Sequence, residues 1–392
     1  MTHRPPSALA LSLALSLAAT TLAAPAALAT GGGVGPAPGA TQPAPATPAR
    51  PAPASSSDTP TTIIVQLEDG TVGIPRSRRA FGQSTRNTHD EMKARIAAAV
   101  EGVVPGATVT TVRDYTHALD GFAIEAPASA LSTIQQVEGV KAAFIEGTHK
   151  PMGSAAEGSG APVLANASSL AMTHANQATQ KGDGQVIEII DSGLQTDHDA
   201  FSGSMDGVDV RMSQADAQAL SGILPHGGAG TYVNSKIPFA YDYADNDANV
   251  VPTSTKDMSH GTHVAAIAAA NGGEVRGTAP NAQIIVAKVV HDADGVMSDS
   301  ALLAALDDAL VIKPDVINIS LGDDAGMSSD AGSIFAGVYE KLTDAGITVN
   351  AAAGNAFSNA YGNNSGQNKP FATDPDTGTL GEPASYQSTL AV

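Results

Sequence analysis

Gln185-Val186-Ile187-Glu188-Ile189-Ile190-Asp191-Ser192-Gly193 decides the fold: a near-continuous apolar run that ends in an acid and a turn. Strands of that kind sit inside a sheet covered on both faces, the usual situation of parallel strands. Further strand-like runs occur at 284–290, 315–321 and 347–352. They alternate with helix-like runs at 260–270, 298–310 and 330–345. The alternation predicts an α/β unit over residues 160–392, built on a parallel, doubly wound sheet. Functional groups in such sheets collect at the strand carboxyl ends.

Upstream, residues 61–150 carry a different pattern. Thr62 to Leu67 is rich in β-branched residues and predicts a strand. Met92, Ile96, Ala99, Val100 and Val103 recur at helical spacing within 89–103. Two strand-like runs follow at 108–112 and 121–126. A second helix carries Ala128, Leu131, Ile134, Gln135 and Val137 and closes at Gly139, before a last strand at 140–145. The order β-α-β-β-α-β predicts an α+β, ferredoxin-like split motif. Nothing in this unit reads as catalytic.

Residues 1–29 read as an export signal. Arg4 lies near the start, an apolar Ala/Leu run extends from Ala8 to Ala19, and Ala27-Leu28-Ala29 fits a small-x-small cleavage site. The run is shorter than the ~20 residues that a spanning helix needs, so no transmembrane helix is expected. Residues 30–60 hold eight of the 24 prolines and predict a semi-extended Pro/Ala/Gly-rich linker. The expected location is secreted or at the cell envelope. With 20 basic against 39 acidic residues the net charge is −19, which argues against nucleic acid as a partner. Cys is absent, excluding disulfides, thiolate metal sites and a cysteine nucleophile.

Three motifs carry candidate chemistry. Asp191 follows an apolar strand directly and can orient an imidazole, or simply begin the turn before Gly193. Ser259-His260-Gly261-Thr262-His263-Val264-Ala265 leads into an Ala-rich helix, with Ser259 placed to cap it and Gly261 allowing a tight approach. His260 and His263 lack the four-residue spacing and intervening Glu of a zinc-binding helix, so no metal is assigned to them, and His263 is read as structural. In Val349-Asn350-Ala351-Ala352-Ala353-Gly354-Asn355 a strand of small residues ends in an amide that can donate to a developing oxyanion. An Asn in a plain turn is the alternative.

In this order, and with Ser320-Leu321-Gly322 ending another strand, the motifs resemble those of the subtilisin-like serine proteases, the subtilases. Gly277-Thr278-Ala279-Pro280 matches a further recurring turn of that family. The resemblance implies that Asp191 is the catalytic acid, His260 the catalytic base and Asn355 the oxyanion donor. It implies that Ser320, Leu321 and Gly322 form one wall of the substrate cleft and Ala352, Ala353 and Gly354 part of the facing wall. The expected substrates are proteins or peptides. The 61–150 unit resembles the inhibitory propeptide of such enzymes, an intramolecular partner that makes the product a zymogen, with the clip between about 149 and 160. The stretch Gly381 to Val392, the long interval between Asp191 and His260, and Tyr241-Asp242-Tyr243 look like cell-envelope proteases of the lactocepin and C5a-peptidase type.

Two departures stand against the family pattern. Ala266 occupies a position where the family usually has Gly. More severely, no nucleophile is present: neither Gly-Thr-Ser followed by Met/Ala and Pro nor a Gly-x-Ser-x-Gly elbow occurs. The expectation is therefore an N-terminal fragment of a longer protease, inactive as 392 residues. The alternative is a non-catalytic secreted peptide-binding protein on a subtilisin-like scaffold. No cofactor is expected. Asp242, Asp245 and Asp247 offer oxygen ligands of the kind calcium takes, but their spacing fits no defined loop, and they are read as a solvated acidic turn.

Overall fold

The computed structural model describes residues 59–68, 78–149, 170–252, 259–322, 330–354 and 380–392. The expected export signal at 1–29, nearly all of the expected linker, the join that follows the upstream unit, and Asn355 lie outside the described residues.

β1 (Pro60–Leu67) buries both faces: Ile63, Val65 and Leu67 enter one core cluster and Ile64 another, as a period of two dictates. The first cluster lies under α1 (Arg78–Val103), whose Met92, Ile96 and Val100 recur every four residues. β2 (Thr110–Tyr115) and β3 (Gly121–Pro127) form a hairpin, and α2 (Leu131–Ile134) leads to β4 (Val140–Ile145). The sheet order is β2-β3-β1-β4 with every neighbouring pair antiparallel, the topology of a split β-α-β motif. α1 starts well before residue 89, because the stretch from Arg78 has no apolar periodicity to reveal it. The second helix is shorter than its spacing suggested. After Ile134 the amides of Gln136 and Val137 bond three residues back, tightening the chain, and Gly139 at φ +94° turns it into β4.

β5 (Thr148–His149), β6 (Val186–Asp191), α3 (Gln214–Ser221), β7 (Phe239–Asp242), α4 (His260–Ala269), β8 (Gln283–Lys288) and β9 (Met297–Ser298) come next. They are followed by α5 (Asp299–Ile312), β10 (Val316–Ile319), α6 (Asp330–Asp344), β11 (Thr348–Ala351) and β12 (Leu390–Ala391). Six strands make one parallel sheet in the order β12-β11-β10-β6-β8-β7. From β6 the chain goes to the edge strand β7, returns to β8 beside β6, and then crosses to the other side, where it winds outward through β10, β11 and β12. The reversal beside β6 is the switch point where open α/β sheets leave a crevice.

Both faces are covered. On one, Ala265, Ala268 and Ala269 of α4 pack on Ile187, Ile189, Ile284 and Val286. Ala266 adds its methyl to the rim of that cluster, so the departure at this position is accommodated by packing. The Gly277-Thr278-Ala279 turn donates its three amides to the carbonyls of Ala270, Ile267 and Ala268, satisfying the end of α4. On the other face, Leu303, Leu306, Val338 and Leu342 of α5 and α6 pack on Ile190, Ile285, Ile317 and Val349. Ile64, Tyr115, Leu119 and Ala123 belong to that same cluster. The upstream sheet therefore lies between its own α1 and the α5–α6 pair. No helix among the described residues is long and apolar enough to cross a membrane.

Candidate active site

Asp191 ends β6 at the switch point and is 1% exposed. Its Oδ1 lies 2.8 Å from His260 Nδ1 and accepts the Ser192 amide at 2.7 Å. His260 is the first residue of α4, and 20% of its side chain is exposed. Local backbone chemistry brings the two together across 69 residues. Gly193 turns the chain at φ +105°, and Ser192 Oγ accepts the Gly261 amide at 3.0 Å. Any Cβ on Gly261 would strike the Gly193 carbonyl, so only glycine lets α4 seat on the exit of β6. Thr262 Oγ1 then accepts the Gln195 amide at 2.9 Å. Ser192 is thus a brace between the exit of β6 and the start of α4.

A carboxylate on Nδ1 selects the tautomer whose basic electron pair is on Nε2, and it stabilises the imidazolium once that atom takes a proton. Ser259 stands at the N-cap position without the expected side-chain bond to the helix; its carbonyl accepts the His263 amide at 3.0 Å. His263 is exposed on α4 rather than packed as a structural histidine. Part of its ring is still shielded by neighbouring atoms, and that desolvation, followed by the charge of His260, pushes its pKa below the ordinary value.

The other expected residues gather at the same edge. Ser320, Leu321 and Gly322 leave β10, and Ala352, Ala353 and Gly354 leave β11, the neighbouring strand. The two exits are tied where the Ala352 amide donates to the Ile319 carbonyl at 3.0 Å. Ser320 Oγ accepts Asn318 Nδ2 at 3.0 Å, and Leu321 is fully buried. A Cβ on Gly322 would strike the Glu382 carbonyl, which explains a glycine at φ +147°. Asn355, the expected oxyanion donor, lies outside the described residues.

The acidic turn proves to be only partly solvated. Asp242 is fully buried, and with Asp292 it holds Lys288 Nζ at 2.5 and 2.6 Å, with Asp245 at 3.6 Å. Burial lowers the pKa of Lys288, but the bonds to Asp242 and Asp292 outweigh it and leave it raised. A lysine ammonium therefore sits among the three carboxylates that stand close enough together to ligate a cation. Asp247 instead accepts the Asn249 amide. Glu188, three residues before Asp191, is fully buried and neither oxygen has a partner among the described residues. Burial, with the charge of Asp308 adding to it, raises its pKa to about 8, so it is neutral at pH 7.

The upstream unit reaches this edge. The Val289 amide donates to the Asp191 carbonyl at 3.0 Å, Val290 bridges to Met297, and β9 pairs antiparallel with β5. Thr148 lies opposite Ser298 and His149 opposite Met297, three strand spacings or roughly 15 Å from Asp191. Nearby, buried Asp307 of α5 accepts the amides of His117 and Ala118 at 2.7 and 2.6 Å. Burial alone would raise its pKa, yet hydrogen bonds from His117 and His226 hold it well below the usual range. Glu146 Oε1 accepts the Ser300 amide at 2.9 Å at the start of α5.

Comparison with known proteins adds four findings. The model of the subtilase family, Peptidase S8, matches residues 182–392. A PI-type proteinase of Lactococcus lactis subsp. cremoris is 29% identical over 346 residues, covering 84% of this chain and 17% of the relative. A C5a peptidase of Streptococcus pyogenes is 28% identical over 221 residues, 54% of this chain and 18% of that protein. Among solved structures, the epidermin leader peptide processing serine protease of Staphylococcus aureus superposes with a TM-score of 0.50 at 13% identity. That superposition covers 85% of this chain and 69% of the other, and it shows likeness of fold.

Proposed function

This chain belongs to the subtilase family, and from that membership we propose that it is part of a secreted serine endopeptidase made as a zymogen. The observation that carries the proposal is the 2.8 Å contact of Asp191 Oδ1 with His260 Nδ1 at the carboxyl end of the central strand. Asp191 fixes the tautomer of His260, which acts as general base toward a serine hydroxyl and then as general acid toward the leaving amine. Asn355 donates to the tetrahedral oxyanion, and the strand exits at Ser320–Gly322 and Ala352–Gly354 line the cleft. The chemistry takes no cofactor.

The serine itself is proposed to lie outside these 392 residues, because the family's serine motif does not occur in them. The relatives that match most of this chain are several times longer, which leaves room for it. Residues 61–150 are proposed to act as the inhibitor, a reading supported by the β5–β9 pairing, which sets the end of that unit on the sheet edge that also carries Asp191. The export signal at 1–29 directs the product to the medium or the cell envelope.

The test is fluorophosphonate labelling of the full-length gene product, with the labelled residue located by mass spectrometry. One labelled serine beyond Val392 is expected, together with casein turnover that the 392-residue chain alone lacks. A labelled serine within residues 1–392 would move the nucleophile. Peptide binding by the full-length product without labelling or turnover would replace the protease by a binding protein.

A further inference from the structure

Asp299 spends its carboxylate entirely on the upstream unit. Oδ1 lies 2.7 Å from His149 Nε2, and Oδ2 accepts the Gly147 amide at 2.7 Å. Its own helix does not use it. Ser298 stands at the N-cap of α5, where its Oγ accepts the Ala301 amide, and the Ser300 amide goes to Glu146. The Asp299 amide completes the arrangement by donating to the Gly147 carbonyl at 3.2 Å. Asp299 is 5% exposed, a recessed carboxylate whose donors arrive from 150 residues away.

Residues 147–149 thus behave as an added strand with one side-chain-specific contact. Main-chain pairing with Met297–Ser298 supplies register without regard to sequence, as in any β-strand addition. The contact of His149 with Asp299 adds a side-chain partner that a carboxylate holds most strongly when that partner is cationic. When the upstream unit departs, Asp299 loses both of these donors, leaving a carboxylate whose charge favours a cationic donor in their place. An extended substrate on the same edge would return an amide to the place of Gly147 and a side chain to the place of His149. Space is limited at the first of these, since a Cβ on Gly147 would come 2.9 Å from Asp299 Oδ2.

The geometry points to Asp299 as a specificity-determining residue that selects substrates with a basic side chain opposite Met297 and a small residue two positions before it. The inference rests on the protease reading above and names the substrate class that this sheet edge would take, Gly-x-basic.

Two measurements test it, one independent of catalysis. In the 392-residue chain, amide hydrogen exchange at 147–149 reads the docking directly. His149→Lys is expected to keep the wild-type protection, whereas His149→Glu faces Asp299 with a like charge and loses it by about tenfold or more. Thr148→Glu, one residue away, controls for charge as such and is expected to leave protection within about twofold, and protection in α4 and β6 controls for folding. In the His149→Glu background, Asp299→Asn is expected to restore protection. Equal protection in the Lys and Glu variants would overturn the inference.

In the full-length product, a peptide library varied at the basic position is expected to show about fivefold or greater preference in kcat/KM for Lys, Arg or His over Gln. Asp299→Asn should erase the preference while neutral peptides are still cut. Preference absent from the wild type, or retained by Asp299→Asn, would overturn the inference. If charge discrimination holds in exchange but the full-length product cuts no peptide, the protease reading fails and the charge anchor stands.

Discussion

His89 and His260 each place a ring nitrogen on a carboxylate at nearly the same distance. His89 Nε2 lies 2.9 Å from Asp120 Oδ1 and His260 Nδ1 lies 2.8 Å from Asp191 Oδ1. The surroundings then diverge. His89 also sets Nδ1 on Asp114 at 3.1 Å and is 0% exposed, packed edge-on against Phe122. Two carboxylates on one ring require both nitrogens to donate, so His89 is an imidazolium with no electron pair left to accept a proton. Burial works to lower its pKa, and the bonds to Asp114 and Asp120 outweigh that, raising it above the ordinary 6.5. His260 keeps one carboxylate and partial exposure at the mouth of a sheet crevice. One clamps a fold and the other can move a proton, although residue types and distances match.

The clamp is also well placed. Asp114 and Asp120 flank the hairpin turn whose His117 and Ala118 amides dock on Asp307 of α5. His89 therefore braces from behind the segment that holds the two units together.

The comparison breaks most visibly at His260. In the full-length product His260→Ala is expected to lower kcat by about 10⁶-fold, the scale known for loss of the base in a subtilisin triad. A loss under a hundredfold would mean that the pair is only structural. His89→Gln tests the other side. It is expected to leave kcat of the processed product unchanged and to cost the upstream unit about 2 kcal/mol at pH 6, read by denaturant unfolding of the 392-residue chain. The pH dependence gives the sign. A histidine raised above 6.5 contributes its stability fully below that value and loses it as pH climbs through the raised one. Wild type should therefore weaken with rising pH where His89→Gln stays flat. Lys93→Met is the smallest change. It removes the ammonium 3.0 Å from Asp114, leaves Asp120 untouched, and is expected to cost about 0.5–1 kcal/mol. By taking away a neighbouring positive charge it should shift the His89 titration upward by NMR, whereas a downward shift would show that Lys93 holds Asp114 in place.

Much of this was legible in the chain itself. The apolar runs ending at Asp191 and near Ser320 and Ala352 became β6, β10 and β11, because strands buried on both faces admit little else. What escaped had weak local signal. β7 has only four residues, Phe239–Asp242, ending in polar Asp242, and β5 and β9 have two each, too short for any periodicity. α3 was missed although Ser213 and Asp216 form a capping box ahead of it, a pattern that the spacing does announce. In the acidic turn Asp245 and Asp247 are exposed as the sequence suggests, and only Asp242 departs, because Lys288 sits 46 residues from it, beyond any local window.

Sequence alone therefore determined the strand-turn chemistry of Asp191-Ser192-Gly193 and the helix start at His260, since both depend on neighbours along the chain. Tertiary structure decided which carboxylate each histidine meets, that Asp307 and Asp299 of α5 receive the upstream unit, and that Lys288 sits among the acids of the turn. Those outcomes turn on burial and on partners separated by long loops. The energy of a charge depends on what surrounds it in space, and no spacing along the chain carries that information.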